Sequence, residues 1–324
     1  MRRTLAAALA LLAAAFAPAA LAQQDYPNHT ITMVVPFPPG GVADITARPL
    51  ADAMGRILRQ TVIVENKSGA GGGVGMQYVA RARPDGYTVL LALSSISIIP
   101  EADKVLGRDP MFQLSQLVPI ARFTADPTVL AVRADSPYHS VADLVAAAKK
   151  APGTIPYGSS GNYGTMHVPM EMLSEAAGVK MLHVPFTGAG PAVVALLGGQ
   201  VQALSTGPST VMGHLRAGKV RVLATWGEGG RHPALPDVPT LKELGYDAQF
   251  SQWTGLFVPA GTPEPVVAKL REAARAAVDD PVFKNSLAKV ETPIQYLDQP
   301  QFRTFWDADA RKLAEVVKRI GRVE

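Results

Sequence analysis

Hydrophobic residues along the chain follow two patterns that take turns. Short β-branched or aliphatic runs, bounded by glycine and proline, recur at 31–35, 62–64, 88–93, 128–132, 181–184, 201–204, 220–224 and 256–258. Between most of them lie stretches with apolar residues at helical spacing, as at 45–58, 73–81, 141–148, 166–177 and 191–197. The first kind reads as strands and the second as amphipathic helices. Strand alternating with helix predicts an α/β protein with parallel sheets.

The strands are too numerous for one compact sheet. The stretch 123–127 reads as a passage between two units, and 253–257 as a second passage ahead of a helix-rich tail that includes 265–277 and 302–320. The expected architecture is two α/β lobes joined by two crossing strands, with residues 23–126 and 252–324 in lobe 1 and 127–251 in lobe 2. In open sheets of this kind ligands sit beyond the carboxyl ends of strands, so the loops that follow strands are where function is sought.

The first 22 residues are set apart from this pattern. Met1-Arg2-Arg3 precedes an almost unbroken apolar stretch from Leu5 to Leu21, which closes on Ala20-Leu21-Ala22. A basic start, an apolar core and a small-x-small ending make a secretory signal peptide, so residues 1–22 are excluded from the fold and the protein is expected in the periplasm. An apolar stretch this short, running straight into polar Gln23-Gln24-Asp25, argues against a membrane anchor.

Charge and cysteine then narrow the function classes. The 31 basic residues of the whole chain outnumber the 27 acidic ones, but two of the arginines leave with the leader, so the mature charge is near neutral. No cluster of Lys and Arg interleaved with aromatics appears, which argues against nucleic acid as a partner. With no cysteine, disulfides and thiolate metal or redox sites are excluded. No cofactor or metal is expected, and the protein is expected to be a monomer.

Three loops carry candidate chemistry. The first strand ends in Pro36-Phe37-Pro38-Pro39-Gly40-Gly41-Val42-Ala43-Asp44. Prolines stiffen this turn, paired glycines permit positive φ and close backbone approach, and the first-turn N–H groups of the next helix attract an anion. A plainer reading has Gly40-Gly41 only turning the chain and Asp44 only capping the helix. The second loop, 157–165, contains Ser159, Ser160, Gly161, Asn162 and Thr165, small hydroxyls and free amides ahead of a helix start. That is the inventory for holding a carboxylate without a formal positive charge. The third, with Phe186, Thr187, Gly188 and Ala189, repeats the small-residue pattern before another helix.

Other motifs fail on inspection. The glycine cluster 69–75 puts Val74 where a dinucleotide fingerprint needs its last glycine, so its glycines read as structural. Residues 213–219 mimic a phosphate loop, but Val220 stands where a magnesium-holding Ser or Thr belongs. Ser160 with His167 suggests an exported hydrolase, yet Asn162 occupies the last glycine of a nucleophile elbow. The six histidines show no metal-ligand spacing.

Taken in order, eight segments resemble the receptors of tripartite tricarboxylate transporters, the Bug family of periplasmic binding proteins. They are residues 35–41 with Asp44, 64–72, 84–88, 157–161 with His167, 183–188, 197–201, 235–240 and 259–263, and they cover essentially the whole mature chain. The resemblance implies a two-lobed periplasmic binding protein fold, type II-like, and a non-enzymatic receptor. Such a receptor closes on a small organic anion and delivers it to a membrane permease. Carried over by position, the contacts fall on Pro39, Gly40, Gly41, Val42 and Asp44 in lobe 1, and on Ser159, Ser160, Gly161, Asn162, Thr165, Thr187 and Gly188 in lobe 2. The chain departs from the family pattern at Tyr163, Gln202 and Thr206-Gly207, so the ligand is left open, as is the part played by Arg48. A subunit signalling a solute to a membrane kinase is the alternative of another class.

Overall fold

In the computed structural model, which describes residues 26–323, the first β-branched run of the described residues forms β1 (Ile31–Val35), buried at nearly every position. The proposed leader lies outside the described residues. Around β1 the first sheet runs in the order β11-β4-β10-β3-β1-β2, with β2 at Val62–Asn66, β3 at Thr88–Leu93, β4 at Leu117–Pro127, β10 at Ser251–Pro259 and β11 at Leu297–Asp298. The second sheet has the order β7-β6-β8-β5-β9. Its strands are β5 (Val129–Arg133), β6 (Pro156–Ser159), β7 (Leu182–Pro185), β8 (Ala203–Thr206) and β9 (Val220–Thr225). The two α/β lobes expected from the sequence are present.

Both passages are more regular than the sequence suggests. β4 runs the width of the first sheet and, after Thr128 alone, continues as β5 in the second. The chain returns where the Phe250 N–H bonds to the Trp226 carbonyl in lobe 2, and enters the first sheet as β10. The expectation of parallel sheets holds for β1 with β2 and β3, and for β6 with β7 and β8. It fails for the crossing strands, since β10 runs antiparallel to β3 and β4, and β5 to β8 and β9. A strand arriving from the other lobe enters its new sheet from the opposite end, so no helix crossover sets its direction.

The helices predicted at 45–58, 73–81, 141–148, 166–177, 191–197, 265–277 and 302–320 are present with small shifts at the ends, and three more, at 99–105, 212–216 and 281–289, have no counterpart in the sequence reading. They are α1 (Val42–Leu58), α2 (Gly73–Ala80), α3 (Ile99–Val105), α4 (Val141–Lys150), α5 (His167–Ala177), α6 (Ala189–Leu197), α7 (Met212–Arg216), α8 (Glu264–Ala277), α9 (Pro281–Lys289) and α10 (Gln299–Ile320). Residues 156–159, read from sequence as loop, form β6 because pairing to β7 and β8 overrides their weak strand propensity.

α10 binds the lobes together. Its first half buries Phe302 and Trp306 in the core of lobe 1, where Phe302 meets Trp253 of β10 edge-on at 5.5 Å. Its second half buries Leu313, Val316 and Val317 in a core of lobe 2 that also takes Ile98 and Ala102 from the α3 region. Full burial of one such side chain contributes about 1.5–3 kcal/mol, so both ends of the helix are firmly seated. Between them Asp309 Oδ2 accepts from Ser97 Oγ at 2.7 Å and from Trp253 Nε1 at 3.0 Å. Burial pushes this carboxyl up to about 6. Among the described residues no helix is long and apolar enough to cross a membrane.

Candidate binding cleft

The carboxyl ends of β1, β3, β6 and β8 all point toward the junction of the lobes, as do the crossing strands. Around the junction, the loops picked out in the sequence touch. A methyl group on Gly188 would sit 2.4 Å from Pro38 Cδ, and one on Gly41 would lie 3.7 Å from Ala189 Cβ. Gly161, at φ +110, would place a Cβ 3.0 Å from the Gly71 nitrogen, so glycine is required there both by its conformation and by the close approach. The lobes are closed on one another.

Gly41 precedes α1 and Gly188 precedes α6, and these two helix starts face each other across the junction. Each leaves first-turn N–H groups without helical partners, and each carries the positive end of its helix dipole. Opposed in this way they repel unless an anion lies between them.

The loop before α1 is held by Asp44 rather than exposed by it. The Asp44 carboxylate accepts from the Gly40 N–H at 3.0 Å, from Asn66 Nδ2 at 3.0 Å and from Arg48 at 2.9 and 2.8 Å. Burial pushes its acidity down, but Arg48, the Gly40 N–H and Asn66 more than offset this and hold the carboxyl below its usual range. Arg48 is spent on this pair. Pro39 and Gly40 are exposed at the rim, while Gly41 and Val42 are buried at the contact with lobe 2.

In lobe 2, Ser159 is fully buried and its Oγ lies 2.6 Å from His183 Nε2 while accepting from the Gly161 N–H at 3.1 Å. His183 stacks on His167 at 4.0 Å, and His167 Nδ1 accepts the Tyr163 N–H at 2.9 Å. Burial lowers His183 to about 4, and burial with the neighbouring His183 lowers His167 well below its ordinary value. Both rings are neutral props under the loop. Tyr163 itself, at φ +54, uses its hydroxyl to hold the chain end, donating to the Gly321 carbonyl at 2.8 Å and accepting the Val323 N–H at 3.1 Å.

Ser160 Oγ is buried without a hydrogen-bond partner, and no imidazole addresses it: the Ser160–His167 pairing weighed for hydrolysis does not form. Thr165 Oγ1 accepts from Gln252 Nε2 of β10 at 2.8 Å, tying lobe 2 to a crossing strand. Asn162 and Thr187 are exposed. Gln202 lies at the far end of β8, accepting from the Tyr138 hydroxyl.

Several groups at the cleft went unnoticed in the sequence. Ser94 and Ser95 after β3, Asp126 and Thr128 at the crossing, Ser205 and Thr225 near the ends of β8 and β9, and Gln252 on β10 all bury a polar atom without a partner. Buried polar atoms are normally satisfied, so these unpaired groups at strand ends and on the crossing strands are candidates for contact with a polar ligand. The strand-end rule reaches Ser94 and Ser95 from sequence; Gln252 and Asp126 lie on strands, where no loop signal points to them.

The residues 46–322 match the model of the "Tripartite tricarboxylate transporter family receptor". A curated protein of Cupriavidus necator, "UPF0065 protein in gbd 5'region", is 36% identical over 320 residues, 99% of this chain and 96% of that one. The periplasmic binding protein BugD superposes with a TM-score of 0.85 at 34% identity, covering 91% of this chain and 98% of its own. MatC of Rhodopseudomonas palustris with bound malate gives 0.83 at 30% identity, covering 90% of this chain and all of its own.

Proposed function

The chain belongs to the tripartite tricarboxylate transporter receptor family, and from that premise we propose that it captures a small organic carboxylate by lobe closure and delivers it to a permease of that type. It is a binding protein, not an enzyme. The observation that carries the ligand class is the opposition of the α1 and α6 starts, with the unpaired Ser160 hydroxyl buried in the loop after β6. A carboxylate there gains N–H and O–H donors that are already in place, so little reorganisation is needed. The relative MatC holds malate, which is in keeping with this chemistry.

Lobe 1 (23–126 with 252–324) and lobe 2 (127–251) swing about Thr128 and the start of β10, with the distal half of α10 following the lobe 2 core on which it packs. Residues 1–22 direct export to the periplasm. Titration calorimetry against mono-, di- and tricarboxylates is expected to give a one-to-one complex. Ser160→Ala removes no hydrogen bond from the ligand-free protein, so its melting temperature should stay unchanged while affinity falls by about tenfold. Binding that is unaffected by Ser160→Ala, or absent for every carboxylate, rejects the reading.

A further inference from the structure

Asp126 differs from the other unpaired groups at the cleft in carrying charge. It is the penultimate residue of β4, its side chain is nine-tenths buried, and its Oδ1 has no hydrogen-bond partner. Facing it is His232, from the lobe 2 segment after β9. His232 Nδ1 accepts the Ala234 N–H at 3.1 Å, so the ring's other nitrogen carries the hydrogen. That nitrogen stands 3.7 Å from Asp126 Oδ1, beyond hydrogen-bond length, and is likewise unpaired. Burial raises the Asp126 carboxyl above its usual range, and His232 offsets this only in part. A buried carboxylate left in this state is costly unless a donor arrives.

Register fixes which way Asp126 faces. It lies opposite Gln252 in the β4–β10 ladder, so the two side chains share a face of the sheet. Gln252 spends its amide nitrogen on Thr165, which leaves its carbonyl oxygen buried and unpaired. That oxygen lies 2.7 Å from where a Cβ on Gly207 would stand, and Val42 Cγ2 lies 2.6 Å from the same point. Gln252 therefore stands where the start of α1 meets the end of β8, and Asp126 stands next to it. The other face of the crossing strands, marked by Trp253, is covered by α10.

A carboxylate oxygen and an amide oxygen side by side accept hydrogen bonds and offer none. A second carboxylate of a ligand brought to this corner would meet like charge at low dielectric, whereas an ammonium group brings donors and opposite charge. We propose that Asp126, assisted by the Gln252 carbonyl, reads a protonated nitrogen on the ligand, so that the protein selects zwitterions over plain organic acids. This rests on carboxylate capture at the α1 and α6 starts and specifies the other end of the molecule.

The test uses probes that differ only by the ammonium group: glutamate against glutarate, 4-aminobutyrate against butyrate, and alanine against propionate, each titrated calorimetrically into the full mature protein. At least one amino acid is expected to bind about tenfold or more tightly than its deaminated partner. Asp126→Asn is expected to cost that amino acid about tenfold and to leave the partner acid unchanged or improved. The wild-type ratio needs no variant, so the test stands even if Asp126→Asn fails to fold, which a thermal melt reveals. Plain acids that bind better than every amino acid overturn the proposal and leave carboxylate capture intact. A protein that binds none of the six overturns both.

Discussion

His183 shows how a single side chain can support a loop from beneath. Its imidazole contacts Ser159 Oγ, stacks between Tyr157 and His167, and is held neutral by burial, with its acidity shifted to about 4. A histidine whose folded value is depressed binds its proton more readily in the unfolded chain. Stability is therefore complete above the ordinary value near 6.5 and is lost as pH falls through that value toward about 4. His183→Gln, which keeps a polar group near Ser159, should flatten the fall in melting temperature between those two pH values, as measured by circular dichroism across the range. An unchanged slope would place the acid sensitivity elsewhere. At this scale the sequence was legible where backbone chemistry is local. Gly40, Gly41 and Ser160 stand out because prolines, glycines and hydroxyls next to a helix start either turn the chain or offer donors to an anion, and the sequence alone leaves both readings open. Asp44 was ambiguous, since it is occupied both by local partners, Arg48 and the Gly40 N–H, and by Asn66 of β2, which sequence spacing does not reveal. Asp126 and Gln252 were hidden, because a polar residue within a strand gains its meaning from register.

At the scale of elements, α10 carries the clearest consequence. Its Asp309 is clamped by Ser97 after β3 and by Trp253 on β10, so one carboxyl joins the tail helix to the ends of two strands at the hinge. Burial raises this group to about 6, which means that the folded protein holds the proton more tightly than the unfolded one. Its contribution is complete below about 3.8 and is lost as pH rises through about 6, opposite in sign to that of His183. Asp309→Asn keeps an acceptor for both donors and removes the charge. It should raise stability at pH 8 by up to about 3 kcal/mol, measured by denaturant unfolding, with no gain at pH 3.5. A variant destabilised at pH 8 but not at pH 3.5 would mean that the charge itself is needed, and one destabilised at both would place the effect in the packing and hydrogen bonding of the carboxyl. The helix was legible from its apolar spacing, but its division between two cores was not: Phe302 and Trp306 on one side and Val316 and Val317 on the other read as a single amphipathic stripe. The direction of the crossing strands was missed for a similar reason. Alternating strand and helix specifies parallel neighbours only where a helix makes the connection, and at Thr128 one residue makes it.

For the whole molecule, closure brings together surfaces that leave no room for an added atom. Gly188 is the sharpest case, because its backbone is extended, at φ 172 and ψ 179, a conformation any residue adopts. Its lack of a side chain matters only against Pro38 of the other lobe, 2.4 Å from where a Cβ would sit. Gly188→Ala thus discriminates between states instead of straining one chain segment. If the ligand-free protein rests open, the added methyl costs nothing until the lobes meet. The variant should then melt as the wild type does and bind its ligand about tenfold or more weakly, since binding free energy must now be spent against the clash. Small-angle scattering should show a compaction on ligand addition that is reduced in the variant. If instead the ligand-free protein rests closed, the clash is already present without ligand and the melting temperature falls. Affinity then changes less, because the same cost is borne by both the free and the bound forms. Scattering and melting of this one variant therefore decide which state the ligand meets, and with it whether the helix starts of α1 and α6 wait apart for an anion or are held together before it arrives.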